Sequence, residues 1–271
     1  MTTKKKKPSQ NTTLITGASS GIGAELAHCF AQDGYNLVLI ARREKELKEI
    51  AAKIQKQYSV EVRVIAKDLS RPDAPHELYQ ELNQVGVTID ILVNNAAFGN
   101  YGFFISNNIK RELEMLSLNV SALTHLTSLF AKGMVERKQG KILNVASTAA
   151  FQPGPLMATY FASKAYVLSF SEALTNELQG TGVSVTCLCP GPTETEFSKV
   201  AGTYGLKLPK RQRMSAKDVA MIGYRGLMKR KTVVIAGLSN KILVIGSKFL
   251  PRSIATAFVR RIHETGGKHK L

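Results

Sequence analysis

No uninterrupted apolar run in this 271-residue chain approaches the ~20 residues that cross a bilayer as a helix, and the N-terminus lacks the apolar stretch of a signal peptide. A cytoplasmic protein is the expectation. Cysteine is also scarce, with three in the chain. Cys29 falls in a helical pattern, and Cys187 and Cys189 alternate along a strand pattern. A Cys-x-Cys spacing with one further thiol offers no four-ligand zinc set, so no metal is expected and the thiols read as buried and free. Acidic residues are short relative to basic ones: 20 Asp and Glu against 37 Lys and Arg, a net charge of +17. Part of that excess is local. Lys4 to Lys7 form a run, and from Lys229 to Leu271 ten basic residues accompany a single acid, Glu264. The first run reads as a solvated arm. These stretches have no interleaved aromatics and no nucleic-acid-reading motif, so nucleic acid is not an expected partner.

What the chain does have is a regular alternation of short apolar runs and helical patterns. Strands are expected at 12–15, 35–40, 60–66, 89–93, 140–147, 183–188 and 232–236, with amphipathic helices between most of them. That rhythm predicts an α/β fold, a doubly wound sheet of seven mainly parallel strands with helices on both faces. The length suits one large domain with a small appendage. We read 1–11 as a basic arm, 12–237 as the main domain, with a segment at about 192–214 over its site, and 238–271 as a basic amphipathic extension. The extension is a candidate for contact with an anionic membrane or for packing on the core or another subunit, with packing preferred.

Ligands of such sheets bind beyond the carboxyl ends of the strands, and several groups fall there. Thr16-Gly17-Ala18-Ser19-Ser20-Gly21-Ile22-Gly23 sits between a strand and a helix, where absent Cβ atoms and helix amides make a phosphate cradle. The second strand ends in Ala41 and then Arg42 and Arg43, where a NAD-preferring site would place an acid. Guanidinium forks suit a 2′-phosphate, which favours NADP(H) over NAD(H), with Arg42 first and Arg43 and Ser19 as helpers. Asp68 follows the third strand, either to accept from an adenine amino group or to serve as a turn residue. Asn94 and Asn95 follow the fourth, and Phe98, Tyr101, Phe103 and Phe104 come next as the wall of an apolar pocket. Asn119 lies inside a helical pattern over 110–135, a poor place for an asparagine without a task. Ser147 sits at the exit of the fifth strand. After the sixth, prolines stiffen the run that holds Thr193 and Thr195. Phe197, Val200, Tyr204, Leu206 and Leu208, in a stretch without periodicity, are available to an apolar substrate.

Tyr160 and Lys164, four residues apart, share one face of a helix. A fixed ammonium beside a phenol favours its ionised form, so the spacing predicts a depressed tyrosine pKa and a group able to exchange protons with an alcohol or carbonyl.

Taken in order, Thr16-Gly-x-x-x-Gly21-x-Gly23, Asp68, Asn94-Asn95-Ala96, Asn119, Ser147, Tyr160-x-x-x-Lys164 and Pro190-Gly191 resemble the short-chain dehydrogenase/reductase family over essentially residues 12–236. Ala97 stands where that family usually has glycine, and Thr193 where it usually has an aliphatic residue. The resemblance implies a Rossmann-like domain and a catalytic tetrad of Asn119, Ser147, Tyr160 and Lys164. In that tetrad Asn119 anchors a water that links Lys164 to solvent. It also implies cofactor contacts from Gly17, Ser19, Ser20, Gly21, Ile22, Gly23, Arg42, Arg43, Asp68, Leu69, Asn95, Ala96, Tyr160, Lys164, Pro190, Gly191, Thr193 and Thr195. A homodimer or homotetramer is implied too. The expected activity is interconversion of a carbonyl and a secondary alcohol on a small apolar substrate. The alternative is a non-catalytic NADP(H)-binding sensor or scaffold held at a membrane or polyanion.

Overall fold

A computed structural model describes residues 11–203 and 213–264 of the protein. The Lys4 to Lys7 run and the apolar residues Tyr204, Leu206 and Leu208 lie outside the described residues. The elements follow in order as β1 (Thr12–Thr16), α1 (Gly21–Gln32), β2 (Asn36–Ala41), α2 (Glu44–Gln57), β3 (Val62–Ala66), α3 (Ala74–Gln84) and β4 (Ile91–Asn94). There follow α4 (Ile109–Leu116), a π-helical turn (Ser117–Ala122), α5 (Leu123–Glu136), β5 (Gly140–Val145), α6 (Ala158–Glu177) and β6 (Val183–Cys189). The last part holds β7 (Thr193–Glu194), α7 (Phe197–Val200), β8 (Met214–Ser215), α8 (Ala216–Met228), β9 (Val233–Ile235), α9 (Leu238–Phe249) and α10 (Arg252–Glu264).

Seven strands form one parallel sheet in the order β3-β2-β1-β4-β5-β6-β9. Successive crossovers run outward from β1 in one direction and from β4 in the other. The strand order therefore reverses between them and opens a crevice at their carboxyl ends. The strands are apolar on both faces because helices cover both. Ile15, Leu39 and Val93 pack under α1, α2 and α8, while Leu14, Val38 and Leu92 pack under α3 and α5. One polar chain runs through this core: Asn94 Nδ2 donates to Thr127 and to Asn144 Oδ1, and Asn144 Nδ2 donates to Ser171. It ties β4 and β5 to α5 and α6, which share one face of the sheet.

Two features were not foreseen. The helical pattern over 110–135 is interrupted by the wide turn at Ser117–Ala122, with Asn119 inside it. The run after Pro190 pairs β7 with β8 as a small parallel ribbon, so part of the aperiodic segment is fastened at both ends. The three thiols are buried and free, and the Cys187 and Cys189 sulfurs lie 3.8 Å apart on one side of β6. Among the described residues no helix is long and apolar enough to cross a membrane, and no cluster of potential metal ligands occurs.

Candidate active site

The glycine turn is a backbone-to-backbone joint. Gly17 has φ +67°, and a Cβ on it would lie 2.8 Å from Ala96 Cα. A Cβ on Gly23 would lie 2.4 Å from Gly17 O and 2.5 Å from Asn95 Nδ2. Asn95 closes this joint by donating to the carbonyls of Thr16 and Gly17, while the Thr16 hydroxyl accepts the Asn95 and Ala96 amides. Gly21, at φ +56°, faces Thr195 across the crevice, where a Cβ would come 2.9 Å from the threonine methyl.

From this joint a cleft of about 810 Å³ runs past the ends of β2 and β3 in one direction and to α6 in the other. It is lined by every expected cofactor residue except Gly23, whose missing Cβ serves the packing of Gly17 and Asn95 and not the cleft. At the β2 end, Arg43 donates to Ser19 Oγ at 3.2 Å and to Glu196 at 2.7 Å, so its guanidinium bridges the glycine turn and the segment after β7. That bond raises the arginine pKa and lowers that of Glu196, which also bonds Ser20. Arg42, more exposed, lies 3.5 Å from Glu114 and 4.0 Å from Asp68. Asp68 takes the turn role: one carboxylate oxygen accepts the Ser70 amide and hydroxyl, and the other faces Arg42.

At the α6 end, Tyr160 and Lys164 are both buried, and the lysine Nζ lies 5.8 Å from the phenol ring centre. Ser147 caps a short 3-10 turn by accepting the Ala149 amide and hydrogen-bonds the Tyr160 hydroxyl. The depressed tyrosine pKa read from the spacing is not what this geometry produces. Burial pushes the phenol up to about 12, with the Ser147 bond working against it. The lysine ammonium instead donates to Val145 O at 2.8 Å, and its own burial brings it down to about 8. Desolvation is the largest cause at both groups.

The fold and these motifs agree with a match to the short chain dehydrogenase family over residues 11–203. The chain belongs to the short-chain dehydrogenase/reductase family. It is 35% identical over 218 residues to the very-long-chain 3-oxoacyl-CoA reductase of Pyrenophora tritici-repentis, covering 79% of this chain and 63% of that protein. It is 35% identical over 189 residues to 17-beta-hydroxysteroid dehydrogenase type 3 of Mus musculus, covering 69% of this chain and 61% of that one. The chain thus spans about three fifths of the length of these curated relatives. A short-chain dehydrogenase from Sphingobium yanoikuyae, solved with NADPH, superposes with a TM-score of 0.79 at 34% identity, over 88% of this chain and 93% of that one.

The aromatic wall expected for this short-chain dehydrogenase needs correction, and the structure adds partners for Asn119, Thr193 and Thr195. Asn119 does not line the cleft; Leu118 does. Its side chain donates to Phe98 O and Ser163 Oγ and accepts the Phe98 amide, and Ser163 in turn donates to Tyr160 O. Asn119 therefore pins the β4 exit to the helix that carries Tyr160 and Lys164, as a positioning residue. Of the four aromatics after β4 only Phe98 lines the cleft; Phe103 is half-buried elsewhere, and Phe104 is 56% exposed. The apolar wall comes from Phe98, Met157, Phe161 and Phe197, the last with its ring 5.2 Å from that of Tyr160. Thr193 spends its hydroxyl on Gly191 O, and Thr195 accepts the Phe197 amide, though both remain in the lining.

Sequence reasoning missed His263, which α10 brings into the lining from the far end of the chain. Its Nδ1 is 2.7 Å from Pro155 O, its carbonyl accepts from the Tyr101 hydroxyl at 2.7 Å, and burial lowers its pKa. A lone histidine in a basic tail gives no periodic or spacing signal that would place it here.

Proposed function

We propose that this chain is an NADP(H)-dependent oxidoreductase that interconverts a carbonyl and a secondary alcohol on an apolar substrate, with Tyr160 as general acid and base. One observation carries the reading. A buried tyrosine hydroxyl bonded to Ser147, with a buried lysine one turn away, stands at the apolar end of a cleft whose other end is a glycine turn flanked by arginines.

A dinucleotide fits that cleft. Its volume of about 810 Å³ is ample, and Gly21 leaves its floor without a Cβ. Arg43, held at Ser19, and Arg42 offer two guanidinium groups to a 2′-phosphate. Asp68 and Leu69 flank the adenine end, while Asn95, Ala96, Pro190, Gly191, Thr193 and Thr195 lie toward Tyr160. Bound there, NADPH supplies the hydride. Ser147 holds the substrate oxygen by a hydrogen bond that strengthens as negative charge develops. Tyr160 donates its proton to that oxygen, and a phenol raised to about 12 is fully protonated at neutral pH, the state that donation requires. Lys164 is the cation nearest the resulting phenolate and in alcohol oxidation stabilises it.

The relatives named above act, by their names, on a 3-oxoacyl thioester and on a hydroxysteroid, each with a large apolar body beside the reacting carbon. The wall of Phe98, Met157, Phe161 and Phe197 supports the same substrate class here. The test is fluorescence titration with NADPH and NADH, then turnover on 3-oxoacyl thioesters, steroid ketones and short polar ketones. The expected result is tighter NADPH binding and turnover that rises with apolar bulk. Binding of neither nucleotide, or binding with no oxidation or reduction of any substrate, overturns the reading. Arg43→Ala should weaken NADPH about tenfold and leave NADH within twofold, since a charge-assisted bond is worth about 1.5–3 kcal/mol.

A further inference from the structure

More than half of the large apolar side chains that the described residues leave exposed lie between Leu238 and Phe258. In α9 they form a stripe: Leu238, Ile242, Ile245 and Phe249 recur at intervals of four, three and four, one face of a helix. The opposite face is the one that packs, through Asn240 and Val244, and a Cβ on Gly191 in the cleft would strike the Asn240 amide at 2.4 Å. In α10, Ala255 and Val259 point inward while Ile254 and Phe258 point out. Phe249 is 84% exposed, an uncommon situation for a phenylalanine within a helix.

The charge around this stripe is of one sign. Lys241 stands exposed beside it, and Arg252 and Arg261 accompany α10. Between residues 229 and 264 the one acid is Glu264, and it is paired with Arg260 at 2.7 Å. We propose that α9 and α10 form a docking surface for an anionic lipid bilayer, lying in the interface with Phe249 and its stripe among the acyl chains and the basic residues at the headgroups. At twelve residues, α9 is about 18 Å long, well short of the ~30 Å hydrocarbon core, so it lies along the membrane and not across it. A second copy of this chain is the poorer occupant, because a twofold contact through the patch would bring its basic residues against themselves with no unpaired acid to meet them.

The surface is also continuous with the cleft. The same two helices supply Asn240 behind Gly191 and His263 in the lining. Docking therefore sets the substrate end of the cleft beside the lipid, the phase in which an acyl chain or sterol resides. That consequence rests on the proposed function; the docking itself does not.

The test uses the full chain and phosphatidylcholine vesicles with and without phosphatidylserine, read by co-sedimentation. Binding is expected to the anionic vesicles and to be about tenfold weaker on phosphatidylcholine alone. Phe249→Glu, and separately Lys241→Glu with Arg252→Glu, should each reduce it about tenfold, with turnover of a water-soluble ketone unchanged. The chain contains no tryptophan, so Phe249→Trp gives a single indole, excited selectively over the tyrosines, whose emission should shift to the blue on anionic vesicles. Absence of that shift, sedimentation indifferent to lipid charge, or a dimer in solution that Phe249→Glu dissociates would each overturn the proposal. Vesicle binding without turnover would uphold it while the reductase reading fell.

Discussion

From the glycine turn to Asn95 the cleft is built of backbone, whereas beyond Pro190 it is built of side chains gathered from distant parts of the chain. In the first region the Thr16 hydroxyl, the Asn95 amide and two glycines without Cβ atoms lock β1 to β4, and each of these hydrogen bonds has a main-chain atom at one end. In the second, Phe197 leans on Tyr160, Tyr101 holds the carbonyl of His263, and Pro155 holds its ring. A backbone joint allows almost no change of residue. A side-chain wall can be re-lined while the sheet stays intact, which is how one scaffold serves substrates as unlike as thioesters and steroids.

Tyr160 stands where the two regions meet, so the largest effect belongs there. Tyr160→Phe should lower turnover by about 10³-fold, the scale of a lost proton donor, with NADPH affinity within twofold by fluorescence titration. Unchanged turnover would remove Tyr160 from the chemistry. Next is the joint: Gly23→Ala forces a methyl against Gly17 O and should cost about 2 kcal/mol, seen as a fall in Tm together with weaker NADPH binding. A variant that melts like the wild type would show that the joint yields.

A smaller effect concerns Lys164, tied to the backbone region through Val145 O. Its folded pKa, about 8, lies below the ~10.4 of an unfolded lysine. Between those values the unfolded chain binds more protons than the folded one, so this group adds stability as pH rises through the window and withholds it below pH 8. Tyr160, raised to about 12, acts in the opposite sense only above pH ~10. Chemical denaturation at pH 7 and pH 9.5 should show Lys164→Met more stable than the wild type at the lower pH, with the gap narrowing at the higher. A gap that does not narrow would mean the ammonium is not desolvated. The smallest effect tests the side-chain wall: Tyr101→Phe should raise KM for an apolar substrate about threefold, as expected for one neutral hydrogen bond, and leave kcat and NADPH affinity alone. A change in NADPH affinity instead would show that the two regions are not separable.

The same contrast explains what could be read in advance. The seven-strand sheet was legible because buried parallel strands must be apolar throughout, and the glycine turn because a backbone joint dictates residue type. Tyr160 and Lys164 were legible as a pair four residues apart. Their pKa values were not, since these depend on burial by parts of the chain that the spacing does not reveal. Asn119 stood out as an awkward helix residue, yet its partners, Phe98 and Ser163, are 21 and 44 residues away in sequence. His263 lies 108 residues from Pro155, and nothing local announces it.

The wide turn at Ser117–Ala122 has a consequence of a different kind. A π-helical turn is an α-helix carrying one residue too many. Loss of a single codon within it would let the helix from Ile109 to Glu136 close regularly, with α4 and α5 keeping their facing because the wide turn had absorbed the extra residue. The shortened chain would keep its core and lose the grip of Asn119 on Phe98. Read in reverse, one duplicated codon is enough to turn a plain structural helix into one that holds a loop at the mouth of a cleft, a short genetic step between scaffold and site.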